Sequence, residues 1–171
     1  MTRKIIIDTD PGQDDAVAIL LALASPDELD VLGIVAVGGN VGLHHTTNNA
    51  LKIVELAGRT DVPVFAGADH PLKRAPITGA HVHGETGLNG PDLPAPTRTV
   101  EDRHGVDFIL ETVAAEPPGT VTLCTLGPLT NVAMAIERDA GTMRRLERIV
   151  MMGGAYFEVG NITPAAEFNI Y

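Results

Sequence analysis

A chain of 171 residues with 44% apolar and 20% charged residues suits one soluble folded domain and excludes a disordered one. The formal charge of −10 disfavours non-specific binding to nucleic acid or anionic membranes, whose phosphates would repel it, but leaves a small uncharged or cationic ligand open. Ile5-Ile6-Ile7 is too short for a signal-peptide core, and the longest apolar run, Ala16 to Ala24, is too short to span a bilayer. A cytoplasmic address is therefore expected, with no nucleic-acid or membrane partner. The single cysteine, Cys124, permits no disulfide within these residues and reads as a small buried hydrophobe.

Along the chain, Lys4–Ile7 reads as a strand, followed by a loop and a helix over Asp14–Ala24. Val31–Val37 is β-branched enough for a buried strand, and His44–Ala57 has helical spacing with Gly58 as its stop. Val62–Ala66 is a short strand whose Pro63 marks an edge or a strand start. Residues 67–100 hold five prolines and five glycines, an irregular stretch long enough to be functional or mobile. Thr99-Val100-Glu101-Asp102 resembles a capping sequence opening a helix to Glu116. Val121–Thr125 is the next strand, Leu129–Arg138 the next helix, and Ile149–Met152 a fifth strand. Such alternation predicts an α/β fold with an open, mainly parallel sheet and helices on both faces. The polar and glycine-rich clusters all follow strands, so the chemistry gathers on one rim, at the carboxyl ends of the strands.

The densest cluster is Asp8-Thr9-Asp10-Pro11-Gly12-Gln13-Asp14-Asp15, with four aspartates in eight residues. So many close anions require a cation or protonation, and hard oxygen donors suit calcium or magnesium rather than zinc or copper. Asp14 and Asp15 also stand at a helix start, where capping is the plain alternative. Asp8-x-Asp10 after a strand is similar to haloacid-dehalogenase-type phosphatases, which use the first Asp as nucleophile and the second as acid. The Gly-Gln-Asp-Asp that follows does not match that family's requirement.

The octet, read as Asp-x-Asp-Pro-Gly-x-Asp-Asp, resembles the motif of the inosine–uridine-preferring nucleoside hydrolase family. The resemblance continues in order through Gly38-Gly39-Asn40, His83-Gly84-Glu85-Thr86-Gly87, Leu126-Gly127-Pro128-Leu129-Thr130-Asn131, Met152-Gly153-Gly154, Asn161 and Glu167-Phe168-Asn169. It implies hydrolysis of the N-glycosidic bond of a ribonucleoside to ribose and free base with a calcium-bound water. It also implies a tightly held Ca²⁺ and a homo-oligomer, either dimer or tetramer. Carried over, Asp10, Asp15 and the backbone carbonyl of Leu126 would be calcium ligands, and Asp10 would also take the proton from the water. Asp14 and Asn169 would hold the 2′- and 3′-hydroxyls, and Asn161 and Glu167 the 5′ end. Asn40 would fix the Asp loop or the water, and His83 would face the base. Read alone, a loop histidine is solvated as readily as it is functional.

Met152 resembles a pocket-lining position, though core filling accounts for it equally well, and Met134, Met143 and Met151 read as packing. Asp8 is expected behind the metal ligands, and Thr130 and Asn131 in the turn that starts a helix. His81 has no match, and His44 and His45 read as surface or capping residues. The resemblance covers the amino-terminal half of a single nucleoside hydrolase-like domain, truncated before a further calcium-ligating Asp and an adjacent His. The alternative function is a catalytically impaired or non-catalytic calcium- or ribose-binding remnant.

Overall fold

A computed structural model describes residues 2–90, 92–154 and 156–171. Its centre is a five-stranded sheet in the order β3-β2-β1-β4-β5, and every neighbouring pair is parallel. The strands are β1 (Arg3–Thr9), β2 (Leu29–Ala36), β3 (Val64–Ala66), β4 (Val121–Thr125) and β5 (Arg148–Met151). The helices are α1 (Gln13–Leu23), α2 (Leu43–Leu56), α3 (Ala80–His83), α4 (Gly105–Ala115) and α5 (Thr130–Met143). Among the described residues no helix is long and apolar enough to cross a membrane.

The isoleucine run of β1 shows why this strand is central. Side chains alternate across a strand, so Ile5 and Ile7 face one side and Ile6 the other. Ile5 and Ile7 pack with Ile19 and Leu23 of α1 and with Ala50, Ile53 and Val54 of α2. Ile6 packs with Val106, Ile109 and Val113 of α4 and with Val132 and Ala135 of α5. Both faces are covered, which is why the strand carries no polar alternation between Lys4 and Asp8. Gly33 in β2 has a packing role: a Cβ there would lie 2.6 Å from Phe108 Cζ, in the stack where Phe65 and Phe108 have ring centroids 3.9 Å apart. The two edges differ, since β3 follows Pro63 and is three residues long, whereas all of β5 is exposed.

Three readings of the chain need correction. The segment Thr99–Asp102 does not open a helix: Glu101 N donates to Val64 O at 2.9 Å and prolongs the sheet edge beside Phe65. The helix starts instead at Gly105, capped by His104, whose Nδ1 accepts from Val106 N at 3.2 Å. The next helix runs past Arg138 to Met143, with a break at Asp139, whose carboxylate caps the last turn through Thr142 N at 3.0 Å and Thr142 Oγ1 at 2.6 Å. Met143 is buried as expected of packing, but Met151 lies on β5 and is 51% exposed.

Replacing Ile6 with Ala removes a fully buried side chain from the central strand and should cost about 2–5 kcal/mol of unfolding free energy in urea. Leu21→Ala, on the 68% exposed face of α1, should change it by less than about 0.5 kcal/mol.

Candidate active site

The end of β1 carries three buried carboxylates, each held differently. Asp8 pairs in register with Val35 of β2 and Thr125 of β4, so its side chain emerges in the middle of the sheet. Its Oδ2 accepts from Asn131 Nδ2 at 2.8 Å, while Oδ1 has no partner. Asp10 lies one residue past the strand. Its Oδ2 accepts from Asn40 N at 2.7 Å, its backbone oxygen accepts from Asn40 Nδ2 at 3.0 Å, and its Oδ1 is buried without a partner. Asp15 accepts from Thr9 Oγ1 at 2.6 Å and from Gly12 N at 3.0 Å. Capping, the plain alternative, is therefore part of what Asp15 does at the start of α1. Asp14 is exposed on the first turn of the helix.

Burial dominates the electrostatics. It pushes the Asp8 carboxyl up to about 7, against which the Asn131 bond works. Asp10 is raised well above the usual carboxylate value, first by burial and then by the charge of Asp15, with the Asn40 N–H opposing. Asp15 is raised by burial and lowered in part by Thr9 and Gly12. A raised native value means that the folded state holds protons the unfolded chain releases. These groups therefore favour the fold at low pH, and their contribution falls as pH rises above 3.8, for Asp8 up to about 7. A cation would reverse that cost.

Whether the donors suit a hard cation can be judged from these contacts. Asp10 Oδ1 is an unpartnered buried carboxyl oxygen, and a Cβ at Gly127 would lie only 2.5 Å from it, so only a glycine leaves room beside the carboxyl on the β4 side. The oxygen chemistry fits a calcium-like ion. The shell is partial: no three His, Cys, Asp or Glu side chains converge as a metal-holding group among the described residues. The carbonyl of Leu126 at present accepts from Asn169 Nδ2 at 2.8 Å.

Next to Asp10, the strand ends open into a cavity of about 230 Å³ whose wall includes Asn40, His83, Leu126, Met152, Asn161, Glu167 and Asn169. Residues far apart in sequence thus share one wall, which is the arrangement expected of a parallel sheet. Asp10, Asp14 and Asp15 are not on this wall. Asn161 and Glu167 are locked into one turn: Asn161 Oδ1 accepts from Phe168 N at 2.8 Å, and Glu167 Oε2 accepts from Asn169 N at 2.9 Å. Met152 is 44% exposed on the cavity rim, not core filling.

Residues given a lesser role or none by the sequence also bear on this rim. Asn131 does more than serve a turn: besides Asp8, its Oδ1 accepts from Ala68 N at 2.8 Å, tying β4–α5 to the segment after β3. Asn49 Nδ2 donates to Pro11 O at 3.1 Å and to Thr86 O at 2.7 Å, joining the carboxylate loop to the histidine loop. A signal existed for Asn49, which falls at helical spacing between Thr46 and Ile53 in the apolar stripe of α2. His81 also reaches the cavity wall. Gly84 turns the loop with φ of +81°, where a Cβ would lie 2.5 Å from that of Asn89.

The model of the family described as inosine-uridine preferring nucleoside hydrolase matches residues 5–171. An uncharacterized protein of Schizosaccharomyces pombe is 58% identical over 168 residues, covering 98% of this chain and 54% of its own length. Uridine nucleosidase 1 of Arabidopsis thaliana is 48% identical over 170 residues, covering 99% and 50%. A solved plant nucleoside hydrolase superposes with a TM-score of 0.92 at 40% identity, over 99% of this chain and 53% of that one. The chain spans about half the length of the curated relatives it matches. With a family match over nearly every residue, and the motifs of that match gathered on one rim, the chain belongs to the inosine-uridine preferring nucleoside hydrolase family.

Proposed function

We propose that this chain supplies the ribose- and metal-binding side of a ribonucleoside N-glycosyl hydrolase, which releases ribose and a free nucleobase by attack of water. The observation that carries the reading is the unpartnered Oδ1 of Asp10, whose other oxygens are bonded by Asn40, a residue of the cavity wall that also carries Asn161, Glu167 and Asn169. Family membership supports the reaction class.

In this reading the carbonyl of Leu126 and the carboxylates of Asp10 and Asp15 would hold Ca²⁺. When bound, Ca²⁺ would supply Lewis-acid chemistry toward the ribose diol and the attacking water. Asp10 Oδ1, with no competing donor, takes the proton from that water. Asn40 keeps Asp10 in place by bonding both its carboxylate and its backbone carbonyl. Asp14 and Asn169 hold the 2′- and 3′-hydroxyls, and Asn161 and Glu167 hold the 5′ end. As the base departs, positive charge builds on the ribosyl ring, and the carboxylates around it stabilise that charge electrostatically. His83 faces the nucleobase, and Met152 packs at the rim. The protein acts in the cytoplasm as a homo-oligomer, and residues 1–171 form the amino-terminal part of one domain.

The partial carboxylate set favours a second reading, in which residues 1–171 bind calcium and ribose without turnover. Assays with inosine, uridine and p-nitrophenyl riboside, first with calcium and then with chelator, separate the two. Chelator-sensitive hydrolysis by this chain alone excludes the second reading.

Calcium at a hundredfold excess over its Kd should stabilise the fold by about 2.7 kcal/mol, read as a rise in Tm. Asp10→Asn should abolish that rise, and it should raise Tm in chelator by removing a buried charge. In the active protein, Asp10→Asn should lower kcat by about 10²- to 10⁴-fold. A 2′-deoxynucleoside should be cleaved at least about 10²-fold less efficiently than its ribonucleoside, since the polar groups meant for the hydroxyl lose their partner. Equal cleavage of both overturns the roles given to Asp14 and Asn169.

A further inference from the structure

Gln13 is the exposed first residue of α1, and nothing in the proposed chemistry uses it. Its side-chain amide nevertheless reaches two residues of the 79–90 loop, 76 and 70 positions away in sequence. Gln13 Nε2 donates to Asn89 O at 3.3 Å, and Gln13 Oε1 meets His83 Nδ1. The chemistry of the two ends is not interchangeable. A backbone carbonyl can only accept, so Asn89 fixes which end of the amide carries the nitrogen. The end turned to His83 is then an acceptor, and Nδ1 must carry the ring proton. In a neutral imidazole this leaves Nε2 with a free lone pair. Free histidine in water favours the other tautomer, with the proton on Nε2.

The surroundings make the contact close. A Cβ at Gly12 would lie 2.6 Å from His83 Nδ1, so the ring sits against the backbone of the carboxylate loop. The loop is also held without Gln13: Gly79 N donates to Asn40 O at 2.8 Å, and Asn49 Nδ2 bonds Thr86 O. Those bonds place the loop and leave the state of the imidazole open. Gln13 alone among these contacts addresses the ring.

We propose that Gln13 is a positioning residue: its amide latches the 79–90 loop to the start of α1 and holds His83 as the Nδ1–H tautomer. His83, a residue of the cavity wall, thereby keeps Nε2 as an acceptor, selective for a ligand group that donates, such as a hydroxyl or a ring N–H, over a carbonyl. The consequence for ligand choice rests on the ribonucleoside reading above, whereas the latch and the tautomer do not.

The test uses the intact chain labelled with ¹⁵N, at a pH where the imidazole is neutral, with His83 assigned by comparison with His83→Gln. Long-range ¹H–¹⁵N correlation should show His83 with a protonated Nδ1 and a bare Nε2. Gln13→Ala removes both contacts and should return His83 to the Nε2–H form. Gln13→Glu keeps an acceptor for Nδ1–H but has no N–H for Asn89, so the tautomer should persist. In both variants the Asn89 amide, which donates to His83 O at 3.2 Å, should exchange with solvent about tenfold faster. Tm should be unchanged, because Gln13 is exposed. In turnover, Gln13→Ala should raise KM for a ribonucleoside more than it lowers kcat, and Gln13→Glu should do so less. An Nε2–H histidine in the wild-type chain, or an Nδ1–H histidine that survives Gln13→Ala, overturns the proposal. If the tautomer responds as described but no ribonucleoside is hydrolysed, the latch stands and the nucleosidase reading falls.

Discussion

Asp8, Asp10 and Asp15 leave water together at the carboxyl end of the central strand, and three like charges cannot be buried there without compensation. Each is met by a different donor: Asn131 for Asp8, Asn40 for Asp10, Thr9 and the Gly12 amide for Asp15. The donors do not cover every oxygen, and the oxygens left over on Asp8 and Asp10 are where a cation's charge is most useful. The surrounding layout follows from this constraint. Gly39 and Gly127 stand where any side chain would run into the Asp10 carboxylate, and Asn131 draws the segment after β3 toward Asp8.

The rim is held by amides rather than by ion pairs. Asn40, Asn49 and Asn131 are all buried, and each bonds two segments that are distant in sequence. A neutral amide can donate to a carboxylate or carbonyl without adding a full charge that would compete for the metal. It also costs less to bury than a lysine or arginine would. The ion pairs that do form, such as Lys4–Glu116 and Arg103–Glu111, are partly or largely exposed and lie away from the cavity, where they contribute little.

The exposed side of the sheet is the counterpart of the buried centre. Ile149, Val150 and Met151 of β5 are each more than 40% exposed, whereas Ile5, Ile6 and Ile7 of β1 are nearly inaccessible. Exposed apolar strand surface of this kind is suited to burial against another surface. The cavity stands on the same side, with Met152 continuing from β5 into its wall.

Much of this was legible in the residues themselves. A run such as Ile5-Ile6-Ile7, within an alternation of strands and helices, fits a strand buried on both faces of a helix-covered parallel sheet, and the four aspartates that follow mark the site without any coordinates. The order of motifs along the chain, each falling after a strand, also points to the family. Sequence pattern could not say which aspartate oxygens are satisfied, or that Thr99–Asp102 would be drawn to the edge of β3 instead of capping a helix. Those outcomes depend on hydrogen bonds between segments dozens of residues apart, and local propensity carries no record of such partners. Gln13 is the clearest case. By itself it is one polar residue at a helix start, and only the folded chain brings Asn89 and His83 to the two ends of its amide.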